Sequence, residues 1–328
     1  MRVRVNGVEL FVRQFGDPAL PMLVVVHGGP TWDHSYLLPT VAELADVAHV
    51  VLFDLRGCGR SSRVPPLPVE QLQPDLLADD VAALIRHLGA ARADVLGFSY
   101  GGGVAMRVVE QHPSLVRRLI LASTTAYGDF EAVVPPERAA LRTQVDWSDA
   151  ALTADGALSR AMALGDLPVT IWRLDRAEEW RAVLDRVRFS SDWNEPRAAG
   201  RLKTARPEDP PGVLRAWGGP VLILHGAQEM TFPVDVARRL HAEVPASTLA
   251  EIPNAAHMTH FDSPEEWLAA TRAFLTAPSP DQPSPDQQRR AQPRPATASP
   301  AMTSRAATGS AVTSPAVPGS RCGWLGRD

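Results

Sequence analysis

Three absences narrow the classes of protein to which this chain can belong. Its 328 residues contain two cysteines, Cys58 in a glycine-rich turn and Cys322 near the end, so a disulfide framework is not expected. The apolar segment 20–27 is too short to span a bilayer and leads into glycines, which predicts a buried strand. Residues 1–7 alternate in polarity and contain no apolar run of signal-peptide length. We therefore expect a cytoplasmic protein without a membrane partner.

A strong charge of one sign is also missing. The chain has 33 Lys and Arg against 37 Asp and Glu, and no basic block stands out in the part expected to fold. A nucleic-acid partner or an acidic membrane surface is therefore not expected. The histidines and acids show no metal-ligand spacing, so no metal or other cofactor is predicted. The length is sufficient for one large α/β domain with an insertion, or for two domains.

The most informative pattern is G-x-S-x-G at residues 97–101, with Ser99 at its centre. Residues 93–96 before it are typical of a short buried strand, and residues 102–112 after it are typical of a helix with one apolar side. A serine between a strand and a helix is pushed out of a sharp turn as a nucleophile. The flanking glycines allow backbone to pass close to a strained serine.

Short apolar runs alternate with helical patterns along most of the chain. Residues 3–5 and 9–15 are predicted to form a hairpin that turns at Asn6-Gly7. Further predicted strands cover residues 22–26, 47–53, 93–96, 119–122, 221–224 and 248–252. Predicted helices cover residues 72–88, 102–111, 235–243 and 265–275, the last begun by Ser263 as cap and Pro264 in the first turn. This alternation predicts an α/β fold with a mostly parallel twisted sheet and helices on both faces.

The pattern changes in two segments. Residues 127–217 contain no strand-like runs, and their apolar residues recur at helical spacing, which predicts a helical cap. This segment carries five tryptophans: Trp147, Trp172, Trp180, Trp193 and Trp217. We interpret them mainly as packing between the cap and the sheet, and the alternative is that one or two of them face the substrate. Residues 278–328 are rich in Pro, Ser and Ala and are predicted to be disordered. The predicted organisation is a core at 1–126 and 218–277, a cap at 127–217 and a tail at 278–328.

A serine nucleophile needs a base and an acid, and in this fold they follow it in the order acid, then histidine. His257 is the predicted base because it comes first after the last strand, with His260 as the competitor. Glu229, in the turn after strand 221–224, is the predicted acid that orients the imidazole. Asp129, which follows strand 119–122, is the alternative acid.

An oxyanion hole needs two donors aimed at the developing negative charge. The predicted donors are the backbone N–H of Tyr100 and that of Gly29, in the His-Gly-Gly-Pro loop at residues 27–30. Segment 54–61 is interpreted as structural, with Asp54 and Arg56 bracing loops. Cys58 within it is not expected to be a nucleophile, because a complete serine set already exists.

Taken together, these segments resemble the α/β-hydrolase superfamily over about residues 5–276, and most of all its prolyl aminopeptidase (proline iminopeptidase) group. The features that carry the closer resemblance are His-Gly-Gly-Pro at 27–30, Arg-Gly-Cys-Gly-Arg-Ser at 56–61 and Ser-Tyr-Gly-Gly at 99–102. Three departures are also visible: Thr31 replaces a usual glycine, Glu229 replaces a usual aspartate, and the cap lacks the group's clear Trp/Glu pattern for a free N-terminal amine. Candidate amine-binding carboxylates, which are also interpretable as surface charges, are Asp175, Glu178, Glu179, Asp185 and Glu195.

The resemblance implies a serine hydrolase in which Ser99, His257 and Glu229 act through an acyl-enzyme on a small molecule or short peptide. An aminopeptidase of the proline iminopeptidase kind is the leading expectation. A carboxylesterase acting on small esters, and haloperoxidase-like or lyase-like chemistry on the same fold, are the alternatives. A catalytically dead binding protein is disfavoured by the intact serine, histidine and acid.

Overall fold

An eight-stranded sheet runs through the computed structural model, which describes residues 1–63, 66–146 and 149–278. The strands are β1 (Arg2–Val5), β2 (Val8–Phe15), β3 (Met22–Val26), β4 (His49–Phe53), β5 (Ala93–Phe98), β6 (Val116–Ala122), β7 (Val221–Gly226) and β8 (Ser247–Ile252). Their order across the sheet is β1-β2-β4-β3-β5-β6-β7-β8. The pairs β1–β2 and β2–β4 are antiparallel and the other pairs are parallel.

Helices connect the strands and cover both faces of the sheet. The α-helices are α1 (Pro74–His87), α2 (Tyr100–Gln111), α3 (Pro136–Ala139), α4 (Ala157–Gly165), α5 (Leu167–Thr170), α6 (Ala177–Leu184), α7 (Asn194–Ala198), α8 (Pro210–Trp217), α9 (Val234–Glu243), α10 (Thr259–Asp262) and α11 (Pro264–Thr276). Short 3₁₀ helices lie at His34–Leu37, Thr40–Asp46, Val69–Leu72, Pro113–Leu115, Ala150–Thr153 and Leu174–Arg176.

The core has two halves, one on each side of the sheet. All residues of β3, β4 and β5 are buried, as expected for strands with helices on both faces. Alternate residues of β3 face opposite sides: Val24 belongs to the apolar cluster that includes residues of α1, α2 and α9, whereas Leu23 belongs to the cluster that includes residues of α6 and α11. The predicted α/β class and mostly parallel sheet are confirmed.

The predicted hairpin turn and helix starts can be compared with the structure residue by residue. The hairpin turns at Asn6 and Gly7, which both have positive φ, at 44° and 79°. The helix predicted from residue 102 begins at Tyr100, directly after Ser99. Pro264 opens α11 as predicted, but the Ser263 side chain does not cap this helix. Its hydroxyl donates instead to the carbonyl of Pro253, which ties the helix to the preceding loop.

The described part of the segment between β6 and β7 contains the helices α3 to α8, joined by turns and irregular stretches, and no strand. Trp180 and Trp193 are buried, whereas Trp172 and Trp217 are half-buried; Trp147 lies outside the described residues. Residues Met1–Ala277 form one compact unit, and the division into core and cap at residues 127 and 217 stays a prediction. The predicted disordered tail and Cys322 lie outside the described residues, apart from Pro278. None of the described helices has the length and apolar character needed to cross a membrane.

Candidate active site

Four strand ends bring the predicted site residues to one edge of the sheet. Strands β3, β5, β7 and β8 are parallel, so the segments that follow them lie side by side. These segments carry Gly29, Ser99, Glu229 and His257, which are up to 228 residues apart in the sequence (257 minus 29). The parallel sheet therefore gathers residues that no local pattern connects.

Ser99 occupies a strained turn between β5 and α2. Its φ of 52° is positive, which is unusual for a residue with a side chain. The turn needs glycine at its borders, because a Cβ on Gly101 would lie 2.2 Å from the carbonyl oxygen of Val26 and one on Gly97 would lie 2.3 Å from that of Gly101. The Ser99 N–H donates to Ala122 at 2.9 Å, which anchors the turn. The predicted role of the flanking glycines, close backbone approach, is confirmed.

A row of hydrogen bonds joins Ser99, His257 and Glu229. The Ser99 Oγ lies 3.0 Å from Nε2 of His257, and Nδ1 of His257 lies 2.8 Å from Oε2 of Glu229. Because a carboxylate only accepts, Nδ1–H donates to Glu229, and Nε2 is left to accept the serine proton. The alternative acid Asp129 is outside this row, exposed at the surface and paired with Arg239 at 3.1 Å.

The Glu229 carboxylate is buried and held from two sides. Its second oxygen, Oε1, accepts the Thr231 N–H at 2.8 Å. Burial raises the pKa of Glu229, but the charge and hydrogen bond of His257, together with the smaller effects of His225 and the Thr231 N–H, outweigh burial, and the net pKa is lowered. The turn that carries Glu229 also bonds to the histidine loop, since the Gln228 N–H donates to the Ala255 carbonyl at 3.0 Å. The acid and the base are therefore positioned together.

Two aromatic side chains pack against the His257 ring, and a buried carboxylate holds the loop that carries it. Phe98 and Phe232 each lie 5.5 Å from it, centroid to centroid. Asp262 accepts the N–H groups of Ala256, Trp172 and Arg173, at 2.9 to 3.0 Å, and so fastens the loop to the segment before α6. Burial raises the pKa of Asp262, although those three N–H bonds oppose it.

The competing histidine is outside the row. His260 is buried among aromatic rings, and its Nε2–H donates to the carbonyl of Tyr36 at 3.1 Å. Burial lowers the pKa of His260 to about 4. It is a neutral core histidine at physiological pH.

Both predicted oxyanion donors border the same cavity as Ser99. Gly29 has a φ of 47°, and its N–H donates to no acceptor among the described residues. The neighbouring Gly28 N–H is occupied, because it donates to the Tyr36 hydroxyl at 2.8 Å. Tyr100 is the first residue of α2, so its N–H has no partner within the helix.

Buried polar residues hold the Gly28-Gly29 loop in place. Nδ1–H of His27 donates to the Gly28 carbonyl at 2.8 Å, and its Nε2 accepts the Leu55 N–H at 3.0 Å. Burial lowers the pKa of His27 despite the nearby carboxylate of Asp54, which keeps this bridging imidazole neutral.

The structural interpretation of segment 54–61 is also supported. Arg56 forms a buried ion pair with Asp80 at 2.6 Å, and Asp54 bonds to the N–H of Arg60 at 2.8 Å and to His34. Cys58 donates to the Pro30 carbonyl, and burial raises its thiol pKa, so its environment is the opposite of that of a reactive cysteine.

Comparison with known proteins gives the family. A model of the alpha/beta hydrolase fold matches residues 21–264. The chain belongs to this family. The predicted superfamily and α/β-hydrolase fold are therefore confirmed.

Individual relatives of this α/β hydrolase differ in activity. A proline iminopeptidase of Lactobacillus acidophilus is 24% identical over 274 residues, which are 78% of this chain and 90% of the relative. The AB hydrolase superfamily protein YisY of Bacillus subtilis is 30% identical over 263 residues, covering 79% and 92% of the two chains. The structure of a thermophilic esterase from Thermogutta terrifontis is 26% identical with a TM-score of 0.63, covering 84% and 98%.

The cavity beside Ser99 in this α/β hydrolase has a volume of about 590 Å³. Its apolar walls are formed by Pro30, Tyr127, Phe130, Trp193, Leu202 and Phe232. Its charged residues are all basic: Arg197, Lys203 and Arg206. Among the described residues, no Asp or Glu lines it.

The carboxylates considered for amine binding lie elsewhere, on the surface. Each is paired with an arginine and is therefore explained as a surface charge: Asp175 with Arg173, Glu178 with Arg181, Glu179 with Arg176, Asp185 with Arg160, and Glu195 with Arg201. Trp193 fits both the packing role and the substrate-facing role considered for the tryptophans. It is buried and its indole N–H donates to the Arg56 carbonyl, and it also lines the cavity.

Sequence reasoning missed several residues of the site. Tyr36 and Asp262 carried no motif, because each acts by accepting a backbone N–H: that of Gly28, 8 residues away, for Tyr36, and that of Trp172, 90 residues away, for Asp262. Arg197 and Arg206 were not singled out, because arginines are frequent in the insertion and only the fold shows which of them face Ser99.

Proposed function

We propose that this α/β hydrolase is a serine hydrolase that cleaves carboxylic esters through an acyl-enzyme on Ser99. The observation that carries the proposal is the row Ser99–His257–Glu229, with contacts of 3.0 and 2.8 Å, at the border of a largely apolar cavity. A serine next to a histidine whose other nitrogen is held by a carboxylate is the general arrangement for activating a hydroxyl.

The reaction has two halves. The Ser99 Oγ attacks the ester carbonyl while Nε2 of His257 takes its proton, and the Glu229 carboxylate stabilises the resulting imidazolium. The N–H groups of Gly29 and Tyr100 stabilise the negative oxygen of the tetrahedral intermediate. His257 then gives its proton to the leaving alcohol. Water, deprotonated by the same imidazole, attacks the acyl-enzyme and releases the acid and Ser99.

The wall of the cavity favours an ester over a peptide with a free N-terminal proline. A free amino terminus is a cation, and an enzyme that binds it inside a cavity needs a carboxylate there to balance the charge. The described lining supplies three cations and no carboxylate. Proline iminopeptidase activity is kept as the second candidate, because the motifs at 27–30 and 99–102 and relatives such as the Lactobacillus enzyme favour it.

One set of assays tests the proposal. A fluorophosphonate probe should label the wild-type protein, and Ser99→Ala should abolish both labelling and hydrolysis of 4-nitrophenyl butyrate. Loss of a triad nucleophile costs about six orders of magnitude in turnover. The variant should stay folded, because alanine tolerates this turn no worse than serine does. Probe labelling that persists in Ser99→Ala would exclude Ser99 as the nucleophile.

Proline-β-naphthylamide, assayed beside the ester, separates the two candidates. Turnover of the ester with little release of naphthylamine supports the esterase. The reverse result would replace it by the aminopeptidase. Probe labelling without turnover of either compound would argue for a different substrate or for non-hydrolytic chemistry.

A further inference from the structure

We infer that the ester cleaved by this site carries a carboxylate, and that Arg206 and Arg197 bind this anionic group in the cavity beside Ser99. The inference rests on the proposed function and names its substrate class: an apolar ester with one negative charge, in the acyl part or in the leaving group.

Arg206 is a half-buried cation at the cavity wall without an acidic partner. Its guanidinium packs on Gly128, where a Cβ would lie 2.5 Å from Nη2. Its backbone is fixed, because its carbonyl accepts from Arg107 Nη2 at 2.6 Å. No ion pair or hydrogen bond involves its guanidinium among the residues that the structure describes, although the residue lines the cavity. A guanidinium at a cavity wall without a protein partner is free to bind an anionic group of a ligand.

The acidic residue nearest in sequence to Gly128 is already neutralised. Both carboxylate oxygens of Asp129 accept from Arg239 Nη1 at 3.1 Å. The positive charge of Arg206 contributes to lowering the pKa of Asp129, after the stronger effect of Arg239. Since Asp129 is bonded to Arg239, it leaves the Arg206 guanidinium available.

Arg197, on α7, supplies a second cation on the same cavity. It is exposed and forms no ion pair within the described residues, in contrast to its neighbours Arg201 and Lys203. Arg201 pairs with Glu195, and Lys203 with Asp75 at 2.8 Å. Burial raises the pKa of Tyr100, and the positive charge of Arg197 opposes that rise, so its field reaches the residue next to Ser99.

The apolar residues that line the cavity favour an apolar chain in the rest of the substrate. Tyr127, Phe130, Leu202 and Phe232 supply apolar walls of the cavity that Ser99 and the cations also line. A guanidinium matches the two oxygens of a carboxylate in a planar, bidentate contact. Half-esters of aliphatic dicarboxylic acids combine these features, as do esters of carboxylated alcohols. A cationic substrate would be repelled by the same wall.

The test compares esters that differ only in charge. The 4-nitrophenyl monoester of adipic acid is paired with its methyl-capped diester, which places the anion in the acyl part. The hexanoate of 4-hydroxybenzoic acid is paired with its methyl-capped form, which places the anion in the leaving group. Values of kcat/KM are measured for wild type, Arg206→Gln, Arg197→Gln and the double variant. Arg4→Gln is the control, because Arg4 is exposed on β1 and does not line the cavity.

In at least one pair, Arg206→Gln should lower kcat/KM for the anionic ester by about tenfold or more, the usual effect of losing a hydrogen bond to a charged group. The neutral partner should change by less than about twofold, and the double variant should lose more than either single one. Taking the wild-type-to-variant ratio for each ester cancels its intrinsic reactivity. The wild-type preference should also shrink as salt is raised, since exposed charges are screened. Arg4→Gln should change neither ester.

The outcomes separate the two proposals. If the probe labels Ser99 and neutral esters are cleaved, but the arginine variants affect both members of each pair equally, the carboxylate site is refuted and the esterase stands. If neither labelling nor ester cleavage occurs, the proposed function fails and this inference fails with it.

Discussion

Glu229 provides the sharpest test of the site, because it replaces the aspartate usual in the group that the sequence resembles. Glu229→Gln keeps the size of the side chain but removes the charge that stabilises the imidazolium, so turnover should fall by up to about four orders of magnitude. Glu229→Asp should keep partial activity, because it restores a carboxylate with a shorter reach to Nδ1 of His257. Steady-state kinetics with 4-nitrophenyl butyrate measures both.

The matched control for this series is Asp129→Asn, at the alternative acid. Asp129 is 71% exposed and paired with Arg239, so turnover should stay near that of the wild type. Collapse of activity in Asp129→Asn together with near wild-type activity in Glu229→Gln would show that the acid was assigned wrongly.

His260 should contribute to the pH dependence of stability. Its pKa is about 4 in the folded protein against 6.5 in a model compound. As the pH falls below about 6.5, the unfolded chain therefore takes up a proton that the folded chain does not, and the free energy of unfolding drops. His260→Gln keeps an N–H donor but does not titrate. Between pH 7 and pH 5 the wild type should lose about 2 kcal/mol more than this variant in urea unfolding. Equal losses would disprove the assignment.

The strand–turn–helix element around Ser99 depends on glycine at its contacts with β3. Gly101→Ala would press a methyl group against the Val26 carbonyl at 2.2 Å, so α2 must move. We expect about 3 kcal/mol of destabilisation by urea unfolding, and ester turnover at least about a hundredfold lower as Ser99 shifts from its partners. Gly89→Ala is the control: its φ of 81° is unfavourable for alanine, but nothing lies within 4 Å of the added Cβ, so activity should be unchanged. Full activity in Gly101→Ala would mean that the turn tolerates displacement.

For the whole chain, the compact unit ends at Ala277. A protein cut after Pro278 keeps the Ala277 carbonyl, which accepts a hydrogen bond from Arg118. We expect its melting temperature to stay within about 2 °C of the full chain and its ester kinetics to be unchanged, because the removed residues have too few apolar side chains to build a core. Differential scanning calorimetry measures the first and the butyrate assay the second. A clear loss of melting temperature would show that residues beyond 278 pack on the domain.

Much of the fold followed from patterns that are local in the sequence. Strand β3 was predicted to the residue because an all-apolar run before glycines has few other interpretations. The juxtaposition of Ser99, Glu229 and His257 was also predictable, since the carboxyl ends of parallel strands meet at one edge. Ser263 occupies the N-cap position of α11 as predicted, but its side chain makes no capping hydrogen bond, because the hydroxyl is turned toward the Pro253 carbonyl in the preceding loop.

The sequence by itself determined which residues stand at the strand ends, because strand periodicity and the demand for glycine at tight turns are properties of neighbouring residues. Only the tertiary structure decided that His260 is buried among aromatic rings, that Asp262 fastens the histidine loop, and that the cavity beside Ser99 is basic. The last two features depend on how the segment between β6 and β7 packs, whereas the rings around His260 come from several parts of the chain: Tyr36, Phe98, Trp180 and Trp267. That packing joins groups more than 80 residues apart, such as Trp172 and Asp262 at a separation of 90, and no short window of sequence contains both partners.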